Sequence, residues 1–417
     1  MPPGSPLANT IRAAMSFIRD ADWLTAARAQ AYCIILAALL CLSVLVLIAS
    51  SRNGVDAYGR PIGTDFVSFW TASRIALSGA AASVYDVSRH WAAQRTLFDA
   101  AAPGYTAFFY PPPFLLVCLP LALLPYFASL ACWLAATGFA YVRALRRVAG
   151  RAGLALPILA FPGVYSNAMH GQNGFLTTAL FAGGMSLLKR RPALAGALLG
   201  CLSIKPHLCL MIPLALAAAR RWTSLLAAAA SAAALAAATY LVFGLATWHA
   251  FLAGTALARQ SLEHDLIGYG KMQSVFAAVR LLGGGVAAAY AAQAGAAAVA
   301  AALLIHVCRR APTDDTIGGA AILAGLLTTP FLLAYDLLLL AVPLALMVRQ
   351  AQATGFRPWE KSVLLAAFML PLISPPLAVH LHVPAAPFVL IALYALFLRR
   401  ALAAEGAGGP PAAPAAA

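Results

Sequence analysis

Acidic residues are scarce in this chain: 13 Asp and Glu in 417 positions, against 28 Lys and Arg. Charged residues of both signs make up 10% of the sequence and hydrophobic residues 62%, where a soluble domain carries about 25% charge. That composition excludes a water-soluble globule. The seven cysteines, at 33, 41, 118, 132, 201, 209 and 308, form no CxxC pair and sit in or beside apolar segments. A disulfide framework or thiolate metal centre is therefore not the organising device. The apolar runs are continuous and lack period-two alternation, which excludes a membrane β-barrel. No cleavable leader is evident, because the first apolar run starts near Ala31, behind an arm with Arg12, Arg19 and Arg28, and is too long for a leader core.

The net charge of +15 does not point to nucleic acid. Basic residues cluster at the ends of apolar runs, as at Arg143, Arg146, Arg147 and Arg151, at Lys189 to Arg191, and at Arg309 and Arg310. That pattern marks cytoplasmic loops. The expected fold is an all-α integral membrane protein of about 12 transmembrane helices. The runs lie at 31–50, 108–142, 152–168, 172–188, 192–219, 223–244, 285–307, 316–333, 337–348, 362–378 and 384–398, with 192–219 crossing twice or dipping in and returning. Residues 1–30 read as a cytoplasmic arm, 31–400 as one multi-span domain, and the Ala/Pro/Gly tail 401–417 as disordered. Both termini are expected in the cytoplasm of a cell whose plasma membrane holds the protein.

One long polar interval interrupts the apolar pattern, from Ser51 to about 107, on the outer face by this topology. It carries Asp56, Asp65, Asp86 and Asp99. Phe66, Phe69, Trp70, Ile75 and Leu77 recur at near-helical spacing, with Thr64 or Asp65 placed to cap the start and Gly79 to end it. This predicts a short helix on the membrane surface, followed by another from Ser88 to Asp99.

The unusual polar residues fall on the same face as this loop. They are Asp65, Tyr85-Asp86, Tyr110, His170-Gly-Gln172-Asn173, Lys205-Pro-His207, Lys271-Met-Gln273-Ser274 and Tyr335-Asp336. Lys205 is the sole Lys or Arg inside an apolar run, and Asp336 the sole acid in one. Ionised groups at such depth are costly unless they face a cavity or a partner, which makes them candidates for function. Together they suit transfer from a lipid phosphate. A carboxylate can take a proton from an attacking hydroxyl. A lysine and a histidine can hold a departing phosphate. Gln172 and Asn173 can hydrogen-bond sugar hydroxyls. Each also has a plainer reading: Asp65 and Asp86 as helix caps, Lys205 and Asp336 as a structural ion pair.

The strings Asp65-Phe-Val-Ser-Phe-Trp70, Ser78-Gly79 and Val84-Tyr85-Asp86 resemble the first outer loop of glycosyltransferase family 87. Four later blocks agree in order: Phe109-Tyr110-Pro-Pro, Gly171-Gln172-Asn173, Ala195-Gly196 through Lys205-Pro206, and Thr329-Pro330 through Tyr335-Asp336-Leu337. The resemblance runs from about 65 to 345. It implies a GT-C-type helical bundle with surface helices in the first outer loop. It also implies a polyprenyl-phosphate-linked hexose donor, such as mannose, and inversion at the anomeric carbon. The family's general base would then be Asp65. Substrate contacts are expected from Tyr85, Asp86, Tyr110, His170, Gln172, Asn173, Lys205, His207, Gln273, Tyr335 and Asp336. Some family members carry a His-rich motif where this chain has Tyr335-Asp336. No DxD pair is present in the loop, so neither a metal nor another cofactor is implied.

The expected partners are thus the lipid-linked sugar, a lipid or glycan acceptor of the cell envelope, and the bilayer itself. The alternative is a carrier or flippase for a lipid-linked intermediate, which requires ionisable groups strung through the bilayer rather than gathered on one face. A membrane scaffold would leave Lys205 and Asp336 without a purpose.

Overall fold

The computed structural model describes residues 6–98, 104–150 and 153–406. Asp99, Arg151 and residues 407–417 lie outside the described residues, and with them the end of the second loop helix and most of the expected tail; residues 401–406 continue the last helix, Ala385–Gly406. Every regular element among the described residues is helical, and strand-like pairing is limited to isolated bridges such as Met272 with Leu333.

Among the described residues seven helices are long and apolar enough to cross a membrane, and the chain is a multi-pass membrane protein. They are Ala26–Ser50, Tyr126–Ala149, Trp222–Glu263, Val286–Arg310, Ala334–Thr354, Glu360–Leu381 and Ala385–Ala403. This corrects the expected count of about 12. The physical reason lies in the helix breakers. The runs 152–168 and 172–188 fold as Ala155–Ala160, Pro162–His170 and Gly174–Met185, the last two separated at Gly171. The run 192–219 is cut at Lys205-Pro206. The run from 316 forms Asp314–Thr328, 15 residues long. At 1.5 Å per residue that is about 22 Å, short of the roughly 30 Å of bilayer hydrocarbon. The span expected at 223–244 instead continues through a kink at Gly244 (φ 77°) to Glu263, because the following stretch is rich in Ala and Leu.

One of the short helices is almost wholly enclosed. Ile317, Ala320, Ala321, Ile322, Leu323 and Ala324 of Asp314–Thr328 are all buried, as expected of a helix that is apolar on every side. Pro192–Gly200 lies directly against Trp222–Glu263. A Cβ on Gly196 would stand 2.1 Å from the Ser224 carbonyl oxygen, and one on Gly200 2.3 Å from that of Ala228. Gly196-xxx-Gly200 is the small-residue spacing that lets membrane helices touch through their backbones.

The loop helix Phe66–Leu77 turns its aromatic face into the protein and not onto a membrane surface. Phe66 and Phe69 are 0% and 1% exposed, and Phe69 packs edge-on against Phe114 with ring centroids 4.8 Å apart. Ala81–Tyr85 follows as a 3-10 turn and then the helix Val87–Arg95. The N-terminal end of Asp314–Thr328 carries ion pairs, Arg221 with Asp314 at 3.1 Å and Arg349 with Asp315. The other end of that helix, at Thr329, opens on a cavity.

Candidate active site

The cavity has a volume of about 890 Å³ and is built where helices break. Irregular backbone at membrane depth is tolerated where it is buried in protein or lines such a hollow. Of the 12 residues expected to act as general base or touch substrate, eight line it: Asp65, Tyr110, His170, Gln172, Lys205, His207, Tyr335 and Asp336.

Asp65 precedes helix Phe66–Leu77, yet its side chain makes no capping bond to it. Its backbone N–H donates to the His170 carbonyl at 3.0 Å, which fixes the residue in the wall. Its Oδ2 accepts a hydrogen bond from Gln172 Nε2 at 2.9 Å, and the Tyr335 phenol faces the same carboxylate. The helix-cap reading therefore does not describe it.

Gln172 reaches this position through Gly171. Helix Pro162–His170 ends there in a left-handed turn (φ 62°), with the Gly171 and Gln172 N–H groups closing back on Ala168 and Asn167. Glycine is required twice, for the positive φ and because a Cβ would lie 2.6 Å from that of Phe66. Gln172 Oε1 accepts from the Tyr110 hydroxyl at 3.0 Å and from the Asn173 N–H at 2.9 Å. Its amide is thereby oriented with the NH₂ toward Asp65. His170 Nδ1 lies 2.7 Å from the Ser166 carbonyl, so Nδ1 carries a proton, and the ring stands 5.6 Å from that of Tyr335.

Lys205 sits in the break before Pro206, a residue type that disfavours helical backbone at the position preceding it. Its Nζ donates to Asp336 Oδ1 at 2.5 Å and to Asn173 Oδ1 at 3.1 Å. The ammonium also lies over the rings of Tyr335, at 5.1 Å, and Tyr110, at 5.8 Å. Lys205 and Asp336 are 2% and 3% exposed, and Asp336 Oδ2 further accepts the Leu333 N–H at 3.1 Å. The ion pair foreseen as the plainer reading is thus present, and it lines the same cavity as Asp65. His207 packs against Phe331, and its buried Nε2 has no hydrogen-bond partner.

Four of the expected contacts do not line the cavity. Tyr85 stands behind Tyr110, donating its hydroxyl to the Tyr110 carbonyl at 3.0 Å. Asp86 caps helix Val87–Arg95 through the N–H groups of Ser88 and Arg89; the Ser88 hydroxyl, foremost, holds its carboxyl below the usual range. Asn173 lies beneath Lys205, and Gln273 is buried beside helix Glu360–Leu381, where its Oε1 accepts from the Ser374 hydroxyl. Three lining cations, Arg60, Arg95 and Lys271, were not marked as contacts by sequence. Arg60 and Arg95 look like ordinary loop charges, while Lys271 shares a segment with Gln273. None of the three has an ion-pair partner among the described residues. Among those residues no group of three His, Cys, Asp or Glu gathers to hold a metal.

The arrangement places a carboxylate held by an amide in one cavity with a neutralised lysine–aspartate pair, phenols, cations without an ion-pair partner among the described residues, and many apolar side chains. It can accept a proton, hydrogen-bond a polyol and receive an anion. No curated protein and no solved structure matches the chain significantly. The model of glycosyltransferase family 87 matches residues 108–335, more than half of the chain. The matched segment contains Tyr110, His170, Gln172, Lys205, His207 and Tyr335, whereas Asp65 precedes it and Asp336 follows it directly. On that match, the chain belongs to glycosyltransferase family 87 and is a membrane glycosyltransferase.

Proposed function

We propose that the protein moves a hexose from a polyprenyl-phosphate-linked donor to a hydroxyl of a lipid or glycan acceptor, at the outer face of the plasma membrane. On this reading 31–400 forms one catalytic domain and both termini lie in the cytoplasm. The observation that carries the proposal is the Asp65 carboxylate, uncommitted to its helix and directed into the cavity by Gln172.

Asp65 takes the proton of the acceptor hydroxyl as its oxygen attacks the anomeric carbon. The bond from that carbon to the phosphate oxygen breaks on the opposite side, its electron pair leaves with polyprenyl phosphate, and the anomeric configuration inverts. Gln172 keeps Asp65 from rotating away. His170, through Nε2, and the phenols of Tyr110 and Tyr335 offer partners to sugar hydroxyls. Lys205 already gives N–H bonds to Asp336 and Asn173. It therefore polarises the site with little net charge, while His207 Nε2 is open to a phosphate oxygen.

The test is incubation of purified protein with labelled decaprenyl- or undecaprenyl-phosphate hexoses and analysis of the products. Radiolabel in a glycosylated acceptor, with free polyprenyl phosphate formed alongside, is the expected result. Recovery of intact donor under all acceptor conditions would count against the reading.

A further inference from the structure

The Lys205–Asp336 pair leaves the departing phosphate without a full counter-charge. We infer that Lys271, held in place by a buried Gln273–Ser374 strut, is the cation that grips the donor's phosphate. This rests on the donor class proposed above.

Lys271 lines the cavity along with the apolar Leu266, Ile267, Phe331, Pro371 and Pro375, and its turn, Tyr269–Lys271, packs against helix Glu360–Leu381, which carries the two prolines. A prenyl tail would lie along these apolar side chains. The phosphate, at the junction of tail and sugar, must then fall between them and Asp65. Arg60 and Arg95 line the cavity from the first loop, away from those apolar residues in the chain.

The segment bearing Lys271 is pinned. Gln273 N–H donates to the Leu332 carbonyl at 2.7 Å, and Met272 bridges Leu333. Gln273 is 2% exposed, and both ends of its amide are used. Nε2 donates to the Lys271 carbonyl at 3.1 Å, and Oε1 accepts from Ser374 on the proline-containing helix Glu360–Leu381. On the other side, the Lys271 N–H bonds the Gly268 carbonyl at 2.9 Å. Gly268 has φ 92°, and the Lys271 stem runs alongside it. A buried amide that satisfies one backbone carbonyl and one hydroxyl is a positioning device. What it positions is an exposed ammonium with no ion-pair partner among the described residues. His207 Nε2, buried and without a partner, joins it: its ring packs on Phe331, adjacent to the bridged strand-like pair. When the anomeric C–O bond breaks, the phosphate changes from a singly charged diester to a monoester with about two negative charges. Lys271 meets that added charge where it develops.

The test compares wild type with Lys271→Met, Lys271→Arg and Gln273→Leu. Lys271→Met is expected to lower kcat/KM for the donor by about 100-fold, leaving the acceptor KM unchanged, and Lys271→Arg to restore most of it. Gln273→Leu is expected to cost about 10-fold alone and nothing further in the Lys271→Met background. A binding arm needs no turnover: farnesyl phosphate should raise the thermal unfolding temperature of wild type more than farnesol or inorganic phosphate does. Lys271→Met should abolish that difference. Unchanged donor kinetics in Lys271→Met, or farnesyl phosphate stabilisation that survives the substitution, overturns the assignment. Absence of transfer by wild type would instead strike the donor reading and leave the binding arm to judge Lys271.

Discussion

The two carboxylates in the cavity are held in opposite ways. Asp336 is locked to a buried ammonium and to a backbone N–H, whereas Asp65 accepts from a neutral amide. Replacing Asp336 with Asn leaves Lys205 charged and buried without a counter-ion, and should cost about 3–5 kcal/mol. Thermal unfolding in detergent measures this. The double change Lys205→Met with Asp336→Leu should recover most of that stability while leaving transfer impaired. His90 makes a pH-dependent contribution in the loop. It is buried, with Nε2 3.3 Å from the Ser68 carbonyl, and burial pushes its pKa down to about 4. The unfolded chain, with an ordinary histidine near 6.5, binds the proton more readily. Its contribution is therefore complete above about pH 6.5 and is lost as pH falls toward 4. Limited proteolysis of the loop should quicken between pH 7 and pH 5, and His90→Gln should flatten that dependence.

At the scale of elements, the breaks matter more than the helices. Gly171, Lys205-Pro206 and Pro330 each end a helix, and residues beside all three line one cavity. These breakers were visible in the sequence as interruptions of apolar runs. Their consequence for the number of spans was not, because a hydropathy run reports apolar length and is blind to helix continuity. A run buried inside the bundle has the same composition as one that crosses lipid. The helix Phe66–Leu77 was legible from its spacing and its flanking residues, but its burial depended on Phe114 and Trp133, which are distant in sequence. The glycine pair 196 and 200 gives the sharpest structural test. Gly196→Val drives a side chain into the Ser224 carbonyl and should destabilise the protein by at least about 1–3 kcal/mol. A Gly183→Ala change, where a Cβ would meet only Leu198 at 3.7 Å, should be close to neutral in the same unfolding assay.

Across the whole molecule, residues from five of the sequence blocks that resemble the family, among them Asp65, Phe109, Gln172, Lys205 and Thr329, line one hollow, and the family match covers the larger part of the blocks. Composition alone identified the membrane class, and order of motifs identified the family. The ion pairs at the far end, Arg221 with Asp314 and Arg400 with the fully buried Glu360, were illegible because each joins residues from separate runs. Lys271 stood out in the sequence as an unusual polar residue but not as a substrate contact, for a related reason: Ser374, which holds its neighbour Gln273, lies on a helix far along the chain. The measurement that tests the central claim most directly is sugar transfer from a labelled undecaprenyl-phosphate hexose by wild type and Asp65→Asn, side by side. The account predicts an inverted product from wild type and a fall of about 10²–10⁴-fold in turnover for Asp65→Asn, with its unfolding temperature unchanged. Near-normal turnover by Asp65→Asn, or a product of retained configuration, would contradict it.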